Sequence, residues 1–252
     1  MWSTFKGQAM RRFLGAIAFL TVLPVPKDVE LKGAPLFFPV VGCLIGLILF
    51  GINVLLRHLF GEAIGALGTL LVLIALTRGL HLDGLADTLD ALFSAKDTQG
   101  ALEVMRDPHL GAFGVLGLVC LLLLKFHLIM ELQVKVSKAL LVFPVLGRLA
   151  PLFPMWALPY LRQEGKAKAL LPLSLKAVAV GCFFSWAFCL WALGWKGTWL
   201  VLFSIGFSLA LCLFFHRKFK GVTGDILGAF VELTEAFVLL VLRGYVDGLS
   251  RG

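Results

Sequence analysis

The stretch HLDGLADTLDAL, residues 81–92, carries Asp83, Asp87 and Asp90 at spacings of four and three. At about 100° per residue these positions fall within roughly 60° of one another, so a helix here presents three carboxylates on one stripe. Like charges repel at that distance, and the arrangement makes sense when cations or a cationic ligand sit among them. A solvated face is the ordinary reading of a run of charges. Here, however, Gly84, Leu85, Ala86, Leu89, Ala91 and Leu92 are small or apolar and would not solvate a long exposed helix. The stripe is therefore read as a metal-ligand site.

Two further acidic points lie downstream. In EVMRDPHLGAFG (103–114), Arg106 and Asp107 precede Pro108, which suits a first helical turn. Asp107 reads equally as an N-cap and as a metal or phosphate ligand. In GVTGDILGAFVELTEAF (221–237), Gly221 and Gly224 permit a tight turn and Asp225 opens a helix. Glu232 follows seven residues later on nearly the same face, with Glu235 further round. A cap explains Asp225 but not Glu232, because ionisable groups inside a spanning segment face the bundle interior or a polar cavity. Arg148, within FPVLGRLAPLFP, is read as the one basic residue deep in a span, where it needs either the acidic cluster or a substrate phosphate. His81 and His109 flank the acidic motifs as candidate bases or phosphate contacts. His58, His127 and His216 read as interfacial, and Thr21 has no assigned role.

The elements that position these residues belong to a membrane protein. Of 252 residues, 60% are hydrophobic and 15% charged, with a mean hydropathy of +0.95, far from the balance of a soluble domain. Apolar segments run over 36–56, 63–79, 110–130, 139–160, 173–195, 197–215 and 226–242. The expected fold is all-α, a polytopic membrane bundle of about seven spanning helices, with residues 1–252 forming one integral-membrane domain. The N-terminal run Phe13–Leu23 is too short to span and reads as an interfacial or re-entrant helix. It lacks a small-residue cleavage site and ends in LPVP, so it is expected to stay in the mature chain. Five cysteines, Cys43, Cys120, Cys182, Cys189 and Cys212, lie in apolar runs without metal-site spacing and read as buried small hydrophobes.

The net charge of +8 is spread over short loops rather than gathered in one patch, which excludes nucleic acid as the partner and suits membrane orientation. With a cytoplasmic N-terminus, that side collects 15 basic residues, among them Arg11, Arg12, Lys96, Arg162, Lys166 and Lys168. Seven fall on the other side (Arg57, Lys125, Lys135, Lys138, Lys196, Arg243 and Arg251) and Arg148 within a helix, which completes the total of 23. Loop 80–109 and the basic loop HRKFKGVTGD (216–225) then both face the cytoplasm.

Carboxylates around hard cations suggest magnesium, which prefers oxygen ligands and substrate phosphates. The chain has no GxxxxGK[ST] loop and no His/Cys zinc set. Aspartates and magnesium at a membrane face point to phosphoryl or phosphodiester transfer. A CDP-alcohol phosphotransferase uses similar chemistry, but its arginine and aspartate spacing differ from those here. A cation-coupled transporter would place its carboxylates near the midplane, where only Glu232 and Glu235 would sit.

The segments AFLTVLPVP, GLHLDGLADTLDAL, LEVMRDPHLGAFGV and GVTGDILGA occur in the order seen in the cobalamin synthase family, which the chain resembles over nearly its whole length. The resemblance implies a multi-pass, magnesium-dependent enzyme of the cell inner membrane, a ribazoletransferase that acts on adenosylcobinamide-GDP. A hydroxyl of α-ribazole, or of α-ribazole 5′-phosphate, attacks the phosphate attached to cobinamide, and GMP leaves. Carried onto this chain, Asp83, Asp87, Asp90 and Asp107 would hold magnesium against the diphosphate. Asp225, with Glu232 behind it, would add a ligand or deprotonate the acceptor. Arg106, Arg148, Arg217, Lys218 and Lys220 would contact phosphates, and His81, His109 and Thr223 would line the substrate site. The chain departs from the family's usual pattern at Pro108 and His109, where serine and arginine are common, and at Ala91, where glycine is. The partners implied are the two substrates and the lipid bilayer; assembly into a homo-oligomer is left open.

Overall fold

The computed structural model describes residues 2–94, 97–135 and 137–250. Lys96 and Arg251, which enter the count of basic residues, lie outside them. Eleven α-helices account for most of the described chain, and no strand occurs among the described residues. They are α1 (Trp2–Leu20), α2 (Phe38–Phe60), α3 (Glu62–Thr77), α4 (Leu80–Ser94), α5 (Thr98–Val104), α6 (Ala112–Lys135), α7 (Ala139–Leu149), α8 (Leu152–Ala157), α9 (Leu175–Leu193), α10 (Trp195–Phe219) and α11 (Gly224–Ser250).

The bundle is organised around α7, α8 and α11. Every residue from Ala139 to Met155 is buried, as befits a segment apolar on all sides. α2 approaches α7 through Gly42 and Gly46: a β-carbon at 42 would stand 2.5 Å from the Pro144 carbonyl oxygen, and one at 46 would stand 2.7 Å from that of Leu141. Such small residues four apart let helix backbones touch where lipid gives no hydrophobic drive for association. The outer helices α6, α9 and α10 instead expose Leu116, Leu123, Phe183, Leu202 and Leu213. Trp191, Trp195 and Trp199 are exposed around the α9–α10 turn, the kind of aromatic girdle that sits at a membrane interface.

Among the described residues, five helical segments are long and apolar enough to cross a membrane, or six if α3 and α4 form one broken span. The expectation of about seven is reduced for a physical reason. α11 is long enough, but Asp225, Glu232, Glu235 and Arg243 make it too charged for a lipid-facing span, and it packs inside the bundle against α4, α7 and α6. Segment 63–79 ends in a bend of 87° into α4. In the N-terminal region, α1 runs from Trp2 to Leu20, longer than the apolar run alone. Thr21 closes it: its hydroxyl donates to the Ile17 carbonyl (2.8 Å) and accepts from the Leu23 N–H (3.2 Å). Of the cysteines, Cys189 and Cys212 are buried, but Cys120 is exposed on the outer face of α6.

Candidate functional site

The glycine of the DGLAD stretch builds the site. α4 runs antiparallel to α11, and a β-carbon at position 84 would stand 2.7 Å from the Asp225 carbonyl oxygen and 2.9 Å from its Cα. One helical turn away, a β-carbon on Gly228 would meet His81 backbone atoms at 3.2 Å. Only glycine at 84 allows this approach, because the atoms it faces are main chain. The result sets Asp83 and Asp87, on either side of Gly84, beside the first turn of α11.

Asp225 is held in that turn. Thr223 is the N-cap of α11, its hydroxyl accepting the Ile226 N–H at 3.3 Å, and the same hydroxyl lies 3.3 Å from Asp225 Oδ2 and 3.6 Å from Met105 Sδ. Asp225 is therefore free of capping duty. Its Oδ2 pairs instead with Arg162 at 2.6 Å. Arg162 also donates to the Met105 carbonyl (2.9 Å), and its loop is tied to the α11 approach by Leu161 N–H to Val222 O (2.9 Å) and Val222 N–H to Pro159 O (3.0 Å). Asp87, half-buried, lies within electrostatic reach of Asp225, Asp83 and Asp90, with Arg162 the one cation in that set. Among the described residues, neither Asp83 nor Asp87 has a hydrogen-bond or ion-pair partner.

Asp90 does different work. Its Oδ2 accepts the Gly111 N–H at 2.8 Å and its Oδ1 the Gly114 N–H at 2.9 Å. Gly111 precedes the first residue of α6 and has no side chain to cap it, so Asp90 supplies the cap from another helix, its charge also favoured by the α6 dipole. A β-carbon at Gly111 or Gly114 would fall 2.3 or 2.4 Å from this carboxylate, which accounts for both glycines in HLGAFG.

Asp107 and Pro108 lie before α6, which begins only at Ala112. Asp107 Oδ1 accepts the His109 N–H (2.9 Å) and meets His109 Nδ1 at 2.6 Å, forming an exposed turn. These bonds, the backbone one foremost, hold the Asp107 carboxyl below its ordinary value. Arg106, His109, Arg217, Lys218 and Lys220 are exposed, the last three where α10 ends and the chain turns into α11.

Arg148 and Glu232 are drawn into a separate buried network. Lys125 Nζ pairs with Glu232 Oε2 (2.5 Å) and Glu235 Oε2 (2.6 Å), and Arg148 Nη1 pairs with Glu235 Oε1. All four side chains are at most 6% exposed, and two cations balance two anions. Gly147 makes room for this group, since a β-carbon there would stand 2.6 Å from Glu235 Cγ. Glu232 lies about 10 Å along α11 from Asp225, so Arg148 points away from the aspartates. Lys125 corrects its placement as a loop charge: it is 1% exposed in the middle of α6. Two buried glutamates against one buried arginine already imply a second cation, and that imbalance was the available signal. Glu232 and Glu235 are thus engaged by Lys125 and Arg148 within the bundle. His81, at 4% exposure, sits near Arg148 and Lys125, its Nδ1 buried without a hydrogen-bond partner among the described residues. Arg162 was not singled out by sequence reasoning, because nothing in LPYLRQEG marks its partner across the bundle.

Among the described residues no three His, Cys, Asp or Glu side chains stand close enough to hold a metal between them. The donor set nevertheless fits magnesium, which uses one or two carboxylates and completes its octahedron with water and substrate phosphates. Asp83 and Asp87, without a hydrogen-bond or ion-pair partner among the described residues, are the carboxylates that would be available to such an ion.

The family described as cobalamin-5-phosphate synthase matches residues 12–243. A protein of Acetivibrio thermocellus, named adenosylcobinamide-GDP ribazoletransferase, is 37% identical over 240 residues, spanning 92% of this chain and 97% of the relative. Proteins of the same name from Clostridium acetobutylicum (34% over 241 residues; 92% and 95%) and Acinetobacter baumannii (37% over 247 residues; 91% and 96%) are similar throughout. No solved structure matches the chain.

Proposed function

The chain belongs to the cobalamin-5-phosphate synthase family, and from that premise we propose that it is an adenosylcobinamide-GDP ribazoletransferase of the cell inner membrane, with its site on the cytoplasmic face. It joins adenosylcobinamide phosphate to α-ribazole or its 5′-phosphate and releases GMP. The observation that carries this reading is the crossing of α4 and α11 at Gly84, which sets two unpartnered carboxylates beside the Asp225–Arg162 pair.

Asp83 and Asp87 are the residues that would hold a magnesium ion at the diphosphate. When bound, that ion neutralises charge on the phosphate oxygens and favours departure of GMP. Asp225, at the N-terminus of α11 opposite them, accepts the proton of the attacking hydroxyl. Asp90 fixes the α4–α6 geometry through the two glycine N–H groups, and Asp107 shapes the loop between them. The exposed Arg106, Arg217, Lys218 and Lys220 draw the anionic nucleotide to the mouth of the site. The excess of basic residues on the loops at this face supports the cytoplasmic orientation.

The test is GMP release by purified protein in liposomes given adenosylcobinamide-GDP, with and without α-ribazole 5′-phosphate and magnesium. Release that needs both supports the assignment. No release with any divalent cation overturns it.

A further inference from the structure

Arg162 stands out among residues to which no function has been attached. Its guanidinium is mostly buried, with the side chain 18% exposed, and makes two contacts: Asp225 Oδ2 at 2.6 Å and the Met105 carbonyl at 2.9 Å. Its Nε–H is buried with no hydrogen-bond partner among the described residues. A buried donor left unsatisfied is costly, and a charged one more so. The guanidinium fork is also suited to gripping two oxygens of a phosphate at once. Arg162 is the cation that Asp87 senses within a group otherwise made of Asp225, Asp83 and Asp90.

We propose that Arg162 is a substrate-phosphate residue that serves as the stand-in counterion of Asp225 until the diphosphate arrives. In the resting site Arg162 neutralises Asp225 and limits repulsion among the aspartates. With the nucleotide diphosphate and a divalent cation bound, Arg162 turns its fork, including the unsatisfied Nε–H, to phosphate oxygens. Asp225 is thereby released at the moment the acceptor hydroxyl needs a proton acceptor. The Met105 carbonyl keeps the arginine anchored through the exchange, and the backbone bonds of Val222 with Leu161 and Pro159 keep its loop against α11. This inference rests on the transferase reading above and adds a residue and an order of events to it.

The exchange makes two binding equilibria move in opposite directions, which mere damage to the fold would not do. The experiment measures Mn2+ binding by electron paramagnetic resonance without nucleotide, and GDP binding at saturating Mg2+, on the full-length protein in detergent. Arg162→Gln is expected to bind Mn2+ several-fold more tightly, because the aspartates around Asp87 have lost the one cation that offsets their negative charge. The same variant is expected to bind GDP about ten- to a hundredfold more weakly, the effect of losing charge-assisted hydrogen bonds. Arg162→Lys, which keeps the charge but not the fork, should leave Mn2+ affinity near wild type and still weaken GDP. Unchanged GDP affinity in both variants overturns the proposal, as does a parallel loss of Mn2+ and GDP binding in Arg162→Gln. A wild-type protein that binds Mn2+ and GDP yet releases no GMP from adenosylcobinamide-GDP overturns the transferase reading itself, an outcome read on the wild type alone.

Discussion

Replacing Asp90 with alanine removes one carboxylate that satisfies two backbone donors at the start of α6. Asp90 is 7% exposed, and its oxygens sit 2.8 and 2.9 Å from the Gly111 and Gly114 nitrogens; the Gly114 N–H is buried and that of Gly111 partly buried, and both would lose their acceptor. A hydrogen bond to a charged group contributes about 1.5–3 kcal/mol, and loss of a helix cap costs about 0.5–2 kcal/mol. The two bonds share one side chain and are not independent, so the expected loss is about 3–5 kcal/mol. For a chain of this size that corresponds to a fall of about 10 °C in Tm. Asp87→Ala removes a carboxylate with no hydrogen-bond partner and relieves repulsion, so its Tm should be unchanged or slightly raised. Thermal unfolding in detergent, followed by near-ultraviolet circular dichroism, reads the first quantity; Mn2+ titration at low temperature reads metal affinity on protein that is still folded. Asp90→Ala should melt early yet keep most of its Mn2+ affinity, whereas Asp87→Ala should melt normally and lose it. An Asp90→Ala protein that melts with the wild type but no longer binds Mn2+ would refute the capping argument and make Asp90 a ligand.

Gly84→Ala should reduce turnover by more than about a hundredfold, since the added β-carbon meets main-chain atoms of Asp225 that cannot step aside and reacting groups tolerate little displacement; Gly51→Ala, whose β-carbon meets nothing, should be neutral or slightly stabilising in the same turnover and melting assays. Lys125→Met should destabilise by about 3–5 kcal/mol by stranding a buried carboxylate, and Lys125→Met with Glu232→Leu should recover much of that loss because the Arg148–Glu235 pair remains, a pattern that melting of the single and double variants would reveal. Because Asp107 is held below its ordinary value of 3.8, its turn is at full strength above that pH and weakens as the pH falls through the lowered value; protection of the His109 amide against hydrogen exchange should therefore stay constant from pH 5 upwards and decline only in stronger acid.

Much of this architecture is legible in the chain because it depends on local pattern. The apolar segments become helices, and the aspartate stripe lies on one helix because spacings of four and three can be read directly. The partners that finish the site are contributed across the bundle, and no local pattern encodes them. Asp90 belongs to the stripe by spacing yet caps a helix starting 22 residues later; its task is set by Gly111, a cap position without a side chain. Lys125 sits in the run LLLLKFHLIM and resembles a charge ending a span, but α6 continues to Lys135, which carries the lysine to mid-helix and against Glu232 and Glu235. Arg162 lies in a loop that local sequence assigns to solvent, and the pairing of its neighbour Tyr160 with Val222 brings it to Asp225. Glycines are the clearest trace of these tertiary contacts: Gly84, Gly111, Gly114 and Gly147 each stand where another element's atoms occupy the space of a β-carbon.

The most direct test of the central claim compares GMP release by wild-type protein and Asp87→Asn in the same liposomes, over a magnesium titration with both substrates present. The wild type should release GMP with saturable magnesium dependence, and Asp87→Asn should lose it while retaining the wild-type melting temperature. Full magnesium-dependent release by Asp87→Asn would contradict the account, because the aspartate stripe would then not be holding the metal.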